Sequence, residues 1–130
     1  NAQYVTFDDL LSKSDFLSLN APATPETYHI MGEKEFDKMK STSILVNAAR
    51  GSLIDEKALV KALACKKIMG AGLDVYENEP YINQKLLMME NVVHTPHAGP
   101  RTIQAREDMQ KEVAENIHAF FYGGRLSKVN

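Results

Sequence analysis

The sequence predicts an α/β fold built on a doubly wound parallel sheet, and two observations carry that expectation. Short apolar runs alternate with helical stretches along the whole chain, which argues for βαβ crossovers and parallel strands. The strands lead into polar or charged residues: Asn20, Asn47 to Arg50, Asp74 to Glu79, and His97. Ligands of an open parallel sheet bind just beyond the carboxyl ends of its strands. One sheet edge is therefore expected to collect an arginine, carboxylates and a histidine.

Taken in order, Tyr4-Val5-Thr6 is a strand candidate, followed by a short acidic-led helix over Asp8 to Ser12. Phe16-Leu17-Ser18-Leu19 reads as a buried strand, and Pro22 and Pro25 break the chain into a loop. A short helix follows over Glu33 to Met39, with Phe36 and Met39 on one side. Ser43 to Val46 is a near-continuous apolar run, the pattern of a strand covered on both faces. Asp55 is a good N-cap for a helix that places Leu59, Val60 and Leu63 on one face. Gly70-Ala71-Gly72-Leu73 leads into another strand, its small residues suiting close approach of a helix, and Cys65 on the preceding helix is expected to be packed. Tyr81 to Met89 is a loop or short helix, and Val92 to Thr95 is the last strand. Thr102 can cap a long final helix that Gly123-Gly124 ends; Met109, Val113, Ile117 and Phe120 form a stripe expected to be core.

At 130 residues the chain is long enough for one domain with a real core, and it shows no repeat, low-complexity tract or linker. A net charge of -2 argues against a nucleic-acid partner. No apolar run approaches the roughly 20 residues that cross a bilayer, and no signal peptide is visible. The single cysteine permits no intrachain disulfide, which fits a reducing cytoplasm. The first residue is Asn1 rather than methionine, so the native start is expected to lie elsewhere.

The chemistry follows from the sheet edge. Histidine is the natural acid/base near neutral pH. His97 lies between Pro96, which fixes the backbone, and Gly99, which permits close approach of a ligand. A carboxylate neighbour would hold its imidazole in one tautomer, and Glu77 and Glu79 are the candidates. Arg50 stands at a strand tip, where a planar guanidinium can grip a carboxylate bidentately and aim a further N–H at a carbonyl. This set suits reversible oxidation of a 2-hydroxy acid, with the hydroxyl proton taken by histidine. Side chains cannot accept hydride, so a nicotinamide cofactor is required. Asp74 ends an apolar run, where an unpartnered carboxylate would be costly. His29, His94 and His118 read as structural or exposed, and His94 with His97 lacks the further ligands of a metal site.

Three ordered motifs make the reading specific: Val46-Asn47-Ala48-Ala49-Arg50-Gly51-Ser52-Leu53-Ile54-Asp55, Gly70-Ala71-Gly72-Leu73-Asp74-Val75-Tyr76-Glu77-Asn78-Glu79-Pro80, and Thr95-Pro96-His97-Ala98-Gly99. With Ser14-Asp15-Phe16 and the Pro22 to Thr27 stretch, the sequence resembles the D-isomer-specific 2-hydroxyacid dehydrogenases over nearly its whole length. The resemblance implies that Arg50 binds substrate, that His97 is the catalytic histidine and that Glu79 is its partner. It implies cofactor-lining positions at Ala21, Ala48, Ala49, Arg50, Asp74, His97 and Gly99, and a cofactor that is NAD or NADP. The Asp74 to Pro80 run looks most like glyoxylate, hydroxypyruvate or 2-ketogluconate reductases. A homodimer is implied in the same way.

The family's G-x-G-x-x-G turn, with the acidic or basic residue that separates NAD from NADP, has no counterpart here. The resemblance therefore makes residues 1–130 a partial, Rossmann-like dinucleotide-binding domain, its carboxy-terminal half, without the first βαβ unit and without the substrate domain. Pro100 stands where the family usually has serine or glycine, and it removes one backbone N–H beside the histidine loop. Two other readings fall within the same resemblance: a non-catalytic, cofactor-sensing corepressor, and an inactive fragment.

Overall fold

Four parallel strands in the order β1-β2-β3-β4 organise the computed structural model, which describes residues 2–99 and 101–127. They are β1 (Phe16–Leu19), β2 (Ile44–Asn47), β3 (Gly70–Leu73) and β4 (Val92–His94). Between them lie α1 (Phe7–Lys13, ahead of β1), α2 (Glu33–Lys38), α3 (Glu56–Ala64) and α4 (Gln84–Leu87), and α5 (Ile103–Tyr122) follows β4. The chain divides into two compact units at the His97–Ala98 junction.

In the first unit the register aligns Leu17, Leu45, Ala71 and Val92, and then Leu19, Asn47, Leu73 and His94. Apart from the half-buried His94 these residues are buried. The apolar ones among them form one core with Leu11 of α1, Phe36 of α2, Leu59 and Leu63 of α3 and Leu86 of α4. Burying such side chains stabilises by about 1.5–3 kcal/mol each, so α1 to α4 are held on one sheet face by their apolar stripes. Caps fix where they start. Thr6 accepts from Asp9 N–H at 3.2 Å, and Asp55 accepts from Lys57 and Ala58 N–H at 2.9 and 3.1 Å. Glu35 reaches back to Gly32 N–H at 3.1 Å.

Four local expectations change in this unit. Tyr4 to Thr6 is not a strand, because Thr6 caps α1 instead. The β2 strand is not covered on both faces: Phe16, Ser18, Val46 and Val93 point to the opposite side from the core and are exposed, with Val46 at 36% and Phe16 at 73%. Gly70 of β3 makes room for backbone rather than a helix, since a Cβ there would stand 2.8 Å from the Asn91 carbonyl oxygen. Cys65 caps the C-terminus of α3 and is exposed.

In the second unit, Thr102 caps α5 by accepting from Ala105 N–H at 3.1 Å. Gly123 ends the helix at φ 81°, a conformation that suits glycine. The stripe of Met109, Val113, Ile117 and Phe120 is not core, being 55–72% exposed. Pro100 lies outside the described residues. Among the described residues no helix is long and apolar enough to cross a membrane.

Candidate active site

The ends of β2, β3 and β4 build one cleft of about 270 Å³, lined by Arg50, Gly51, Ser52, Val75, Tyr76, Glu77, Glu79 and His97. The turn after β2 is locked from within. Asn47, fully buried, accepts from Ala49 N–H at 3.1 Å and donates to the Arg50 carbonyl at 2.9 Å. That satisfies a buried amide whose unmade bonds would cost about 1–3 kcal/mol, and it fixes the direction in which Arg50 leaves the sheet. The guanidinium spends one donor on the Ala49 carbonyl at 2.7 Å, which leaves most of its five N–H groups for a ligand.

Pairing continues past the end of β3. Asp74 N–H donates to the Asn47 carbonyl at 2.9 Å, Thr95 N–H to the Leu73 carbonyl at 3.0 Å and His97 N–H to the Asp74 carbonyl at 2.8 Å. His97 is thereby delivered beside β3 with a left-handed backbone, φ 50°. The Asp74 carboxylate accepts from the Thr95 hydroxyl, so it is not an unpartnered charge.

Glu79 joins the two loops. One carboxylate oxygen accepts from Tyr76 N–H at 2.9 Å, and the other is 2.8 Å from His97 Nδ1. A carboxylate only accepts, so Nδ1 carries the proton and Nε2 is the nitrogen that can exchange one with a ligand. The same contacts hold the Glu79 carboxyl below its ordinary value of 4.5, the His97 bond first and the Tyr76 N–H second. Because the folded value lies below the unfolded one, this stabilisation is present above the unfolded value and is lost as pH falls through the folded one. Melting temperatures of the parent and of Glu79→Gln are therefore expected to converge on acidification below the ordinary glutamate range. A constant difference across that range would overturn the assignment.

The sheet-edge residues do not all meet. Arg50, Glu79 and His97 line the cleft together, whereas Ala21 and Ala49 are half-buried against the core and Ala48 is exposed at the β2 tip. Asn20 folds back on Ser18, donating to its carbonyl at 3.3 Å. Gly99 belongs to the second unit.

Sequence reasoning missed a second pair. His29 Nε2 lies 2.6 Å from Glu77 Oε1, so the two glutamates of the same loop serve two different histidines. It also missed Tyr76, a buried residue whose hydroxyl lies 3.1 Å from His94 Nδ1, while His94 Nε2 donates to the Leu86 carbonyl at 2.9 Å. Burial, and then the nearby Asp74, raises the Tyr76 hydroxyl above its ordinary value, which keeps it a donor.

Comparison with known proteins assigns the chain to a family. The family profile described as D-isomer specific 2-hydroxyacid dehydrogenase, NAD binding domain, matches residues 1–99. A glyoxylate reductase of Thermococcus litoralis is 52% identical over 122 residues, covering 94% of this chain and 37% of that protein. The crystal structure of a glyoxylate reductase from Paecilomyes thermophila superposes with a TM-score of 0.93 at 45% identity, over 97% of this chain and 38% of the other. An NADPH-dependent glyoxylate/hydroxypyruvate reductase from Sinorhizobium meliloti, solved with NADP and malonate, gives 0.89 at 35% identity, over 93% and 38%. The chain thus spans well under half the length of these relatives. Its parallel sheet with flanking helices is the Rossmann-like α/β arrangement of those structures, and the chain belongs to the D-isomer-specific 2-hydroxyacid dehydrogenase family, within the NAD-binding domain.

Proposed function

We propose that the polypeptide to which this chain belongs is an NAD- or NADP-dependent reductase of small 2-oxo acids, forming D-2-hydroxy acids. The observation that carries this reading is the His97–Glu79 contact at 2.8 Å in a cleft shared with Arg50. Arg50 binds the substrate carboxylate through paired N–H groups and polarises the adjacent carbonyl. His97 Nε2 gives its proton to that carbonyl oxygen as it becomes the hydroxyl oxygen, and Glu79 holds the ring by Nδ1 throughout. In the oxidative direction the same nitrogen takes the hydroxyl proton back.

The residues fit a dinucleotide. Ala21, Ala48 and Ala49 carry only methyl groups near the strand tips, small enough for a cofactor to lie against them, and the Asp74 carboxylate is an acceptor suited to a carboxamide N–H. The nicotinamide, when bound, supplies or accepts the hydride that no side chain can carry. His97 and Arg50 complete the lining in this reading. Residues 1–130 are then the carboxy-terminal half of the dinucleotide-binding domain, with the substrate domain elsewhere in the polypeptide. A cytoplasmic setting and a homodimer belong to the same reading, supported by the single cysteine and by family resemblance respectively.

The test is an assay of the full-length protein with NADH and with NADPH against glyoxylate, hydroxypyruvate and larger 2-oxo acids. Consumption of the reduced cofactor with formation of the D-hydroxy acid is expected. No consumption with any 2-oxo acid would overturn the reading.

A further inference from the structure

The second histidine–glutamate pair stands at the same cleft and has no part in the reaction. Glu77 lines the cleft beside Arg50, Glu79 and His97. Its Oε1 is 2.6 Å from His29 Nε2 and accepts from the Tyr28 hydroxyl at 3.2 Å, and the Tyr28 and His29 rings stack with centroids 3.9 Å apart. The His29 and Glu77 side chains are only 28% and 21% exposed. The Glu77 backbone N–H donates to Glu56 Oε1 at 2.8 Å, and Glu56, in the first turn of α3, is 8% exposed. The Glu77 residue is thus held at both its side chain and its backbone.

His29 is in turn fixed to the segment that Arg50 begins. His29 N–H donates to the Ser52 carbonyl at 2.9 Å, Met31 N–H to the Leu53 carbonyl at 3.0 Å, and Asp55 N–H to the Met31 carbonyl at 3.0 Å. Gly51, on the same segment, packs so closely on the next loop that a Cβ there would stand 1.9 Å from the Tyr76 carbonyl carbon. The segment from Arg50 to Asp55 therefore has the His29 strip against it and the Tyr76–Glu77 peptide against Gly51, and the His29–Glu77 bond ties strip to loop. His29 adopts φ 52°, a left-handed conformation that non-glycine residues enter only when surrounding contacts hold them there. His97 does the same at φ 50°.

We propose that Glu77, clasped by His29, is a positioning residue for the acid–base pair, fixing the loop so that Glu79 reaches both Tyr76 N–H and His97 Nδ1. This rests on the reaction proposed above. Glu79 lies two residues beyond Glu77, so a loop released at Glu77 lets the Glu79 carboxylate drift from both partners. Charge enters as well: Glu56 Oε1 lies 2.8 Å from the Glu77 backbone N, Arg50 and Glu79 line the same cleft, and His29 with Tyr28 supplies the hydrogen-bond donors of the Glu77 carboxylate.

The test uses the full-length protein and two readouts: the Glu79 carboxyl titration followed by carbon-13 NMR, and steady-state kinetics. In E77A and in H29G, which removes the imidazole from a residue already in the left-handed region, the Glu79 midpoint is expected to rise toward the ordinary glutamate value. In both, kcat falls by about tenfold while KM moves by less than about threefold, the split expected when transition-state geometry rather than binding is lost. E77Q, whose amide oxygen still accepts from His29 and Tyr28, retains both properties. A folded E77A or H29G that melts at lower temperature but leaves the Glu79 titration and kcat unchanged would overturn the proposal. Should E77A not fold, H29G decides by the same readings. A rise in the Glu79 midpoint in a protein that reduces no 2-oxo acid would sink the reaction and leave the positioning role standing; turnover with an unmoved midpoint would do the reverse.

Discussion

Removing the His97 imidazole in the full-length protein is expected to lower kcat by about two to four orders of magnitude, the range that one positioned acid/base contributes. No neighbouring imidazole substitutes for it. His29 is engaged by Glu77 at 2.6 Å, and both nitrogens of His94 are taken, by the Leu86 carbonyl at 2.9 Å and the Tyr76 hydroxyl at 3.1 Å. His97→Asn is the better variant, because asparagine enters the left-handed region more readily than alanine and His97 sits at φ 50°. The loss then reports the proton-transferring group rather than a distorted loop. Binding of reduced cofactor, followed by its fluorescence, is expected to change by less than about threefold, since asparagine keeps the backbone and a polar side chain at this lining position and removes only the proton-transferring imidazole, the loss of which lowers kcat and kcat/KM together. Unchanged turnover in this variant would remove His97 from the mechanism.

Much of the architecture was legible because each strand is a short apolar run that leads into polar residues. The strand expected at Phe16 to Leu19 coincides with β1, and those expected at Ser43 to Val46 and Val92 to Thr95 lie within one residue of β2 and β4 at each end. The one false strand, Tyr4 to Thr6, had a competing signal in plain view. Thr6 stands three residues before Asp9, a cap spacing, and its hydroxyl oxygen accepts from Asp9 N–H at 3.2 Å. β-propensity in three residues is weak against a satisfied helix N-terminus.

The rest depended on partners that lie far along the chain. Nothing local in Tyr28-His29 distinguishes it from an exposed loop, yet His29 meets Glu77 across 48 residues. The residues alone leave both Glu77 and Glu79 open as partners of His97 and only the resemblance favours Glu79; the loop geometry then shows Glu79 at 2.8 Å from His97 Nδ1, with Glu77 turned to His29. Periodicity misled at α5 for a related reason. A stripe at helical spacing says that one face is apolar, not what it meets, and Met109 to Phe120 is exposed throughout. The same holds for Val46 and Phe16, which are apolar enough for a core and stand on the open face of the sheet.

Gly51→Ala is expected to be far more damaging than its single added methyl suggests. A Cβ at this position would stand 1.9 Å from the Tyr76 carbonyl carbon, 2.0 Å from its oxygen and 2.4 Å from Glu77 N, all backbone atoms that no rotamer can move aside. The two loops must then part by roughly an ångström, and overpacking of this kind costs about 1–3 kcal/mol, occasionally more. The displacement falls where it does most harm, because Arg50 precedes the glycine and Glu79 follows Glu77 by two residues. A misplacement of about 1 Å can cost about a hundredfold in rate, so kcat is expected to fall by about that factor even in molecules that remain folded. Gly72→Ala provides the contrast: among the described residues its added carbon would meet Val46 Cγ2 alone, at 3.9 Å, an ordinary contact, and it is expected to change stability by less than about 0.5 kcal/mol, as substitutions away from tight packing do. Urea denaturation and kcat measured on both variants separate the two sites. Equal, small effects at Gly51 and Gly72 would mean that the contact between the Arg50 and Glu79 loops is not what holds the cleft together.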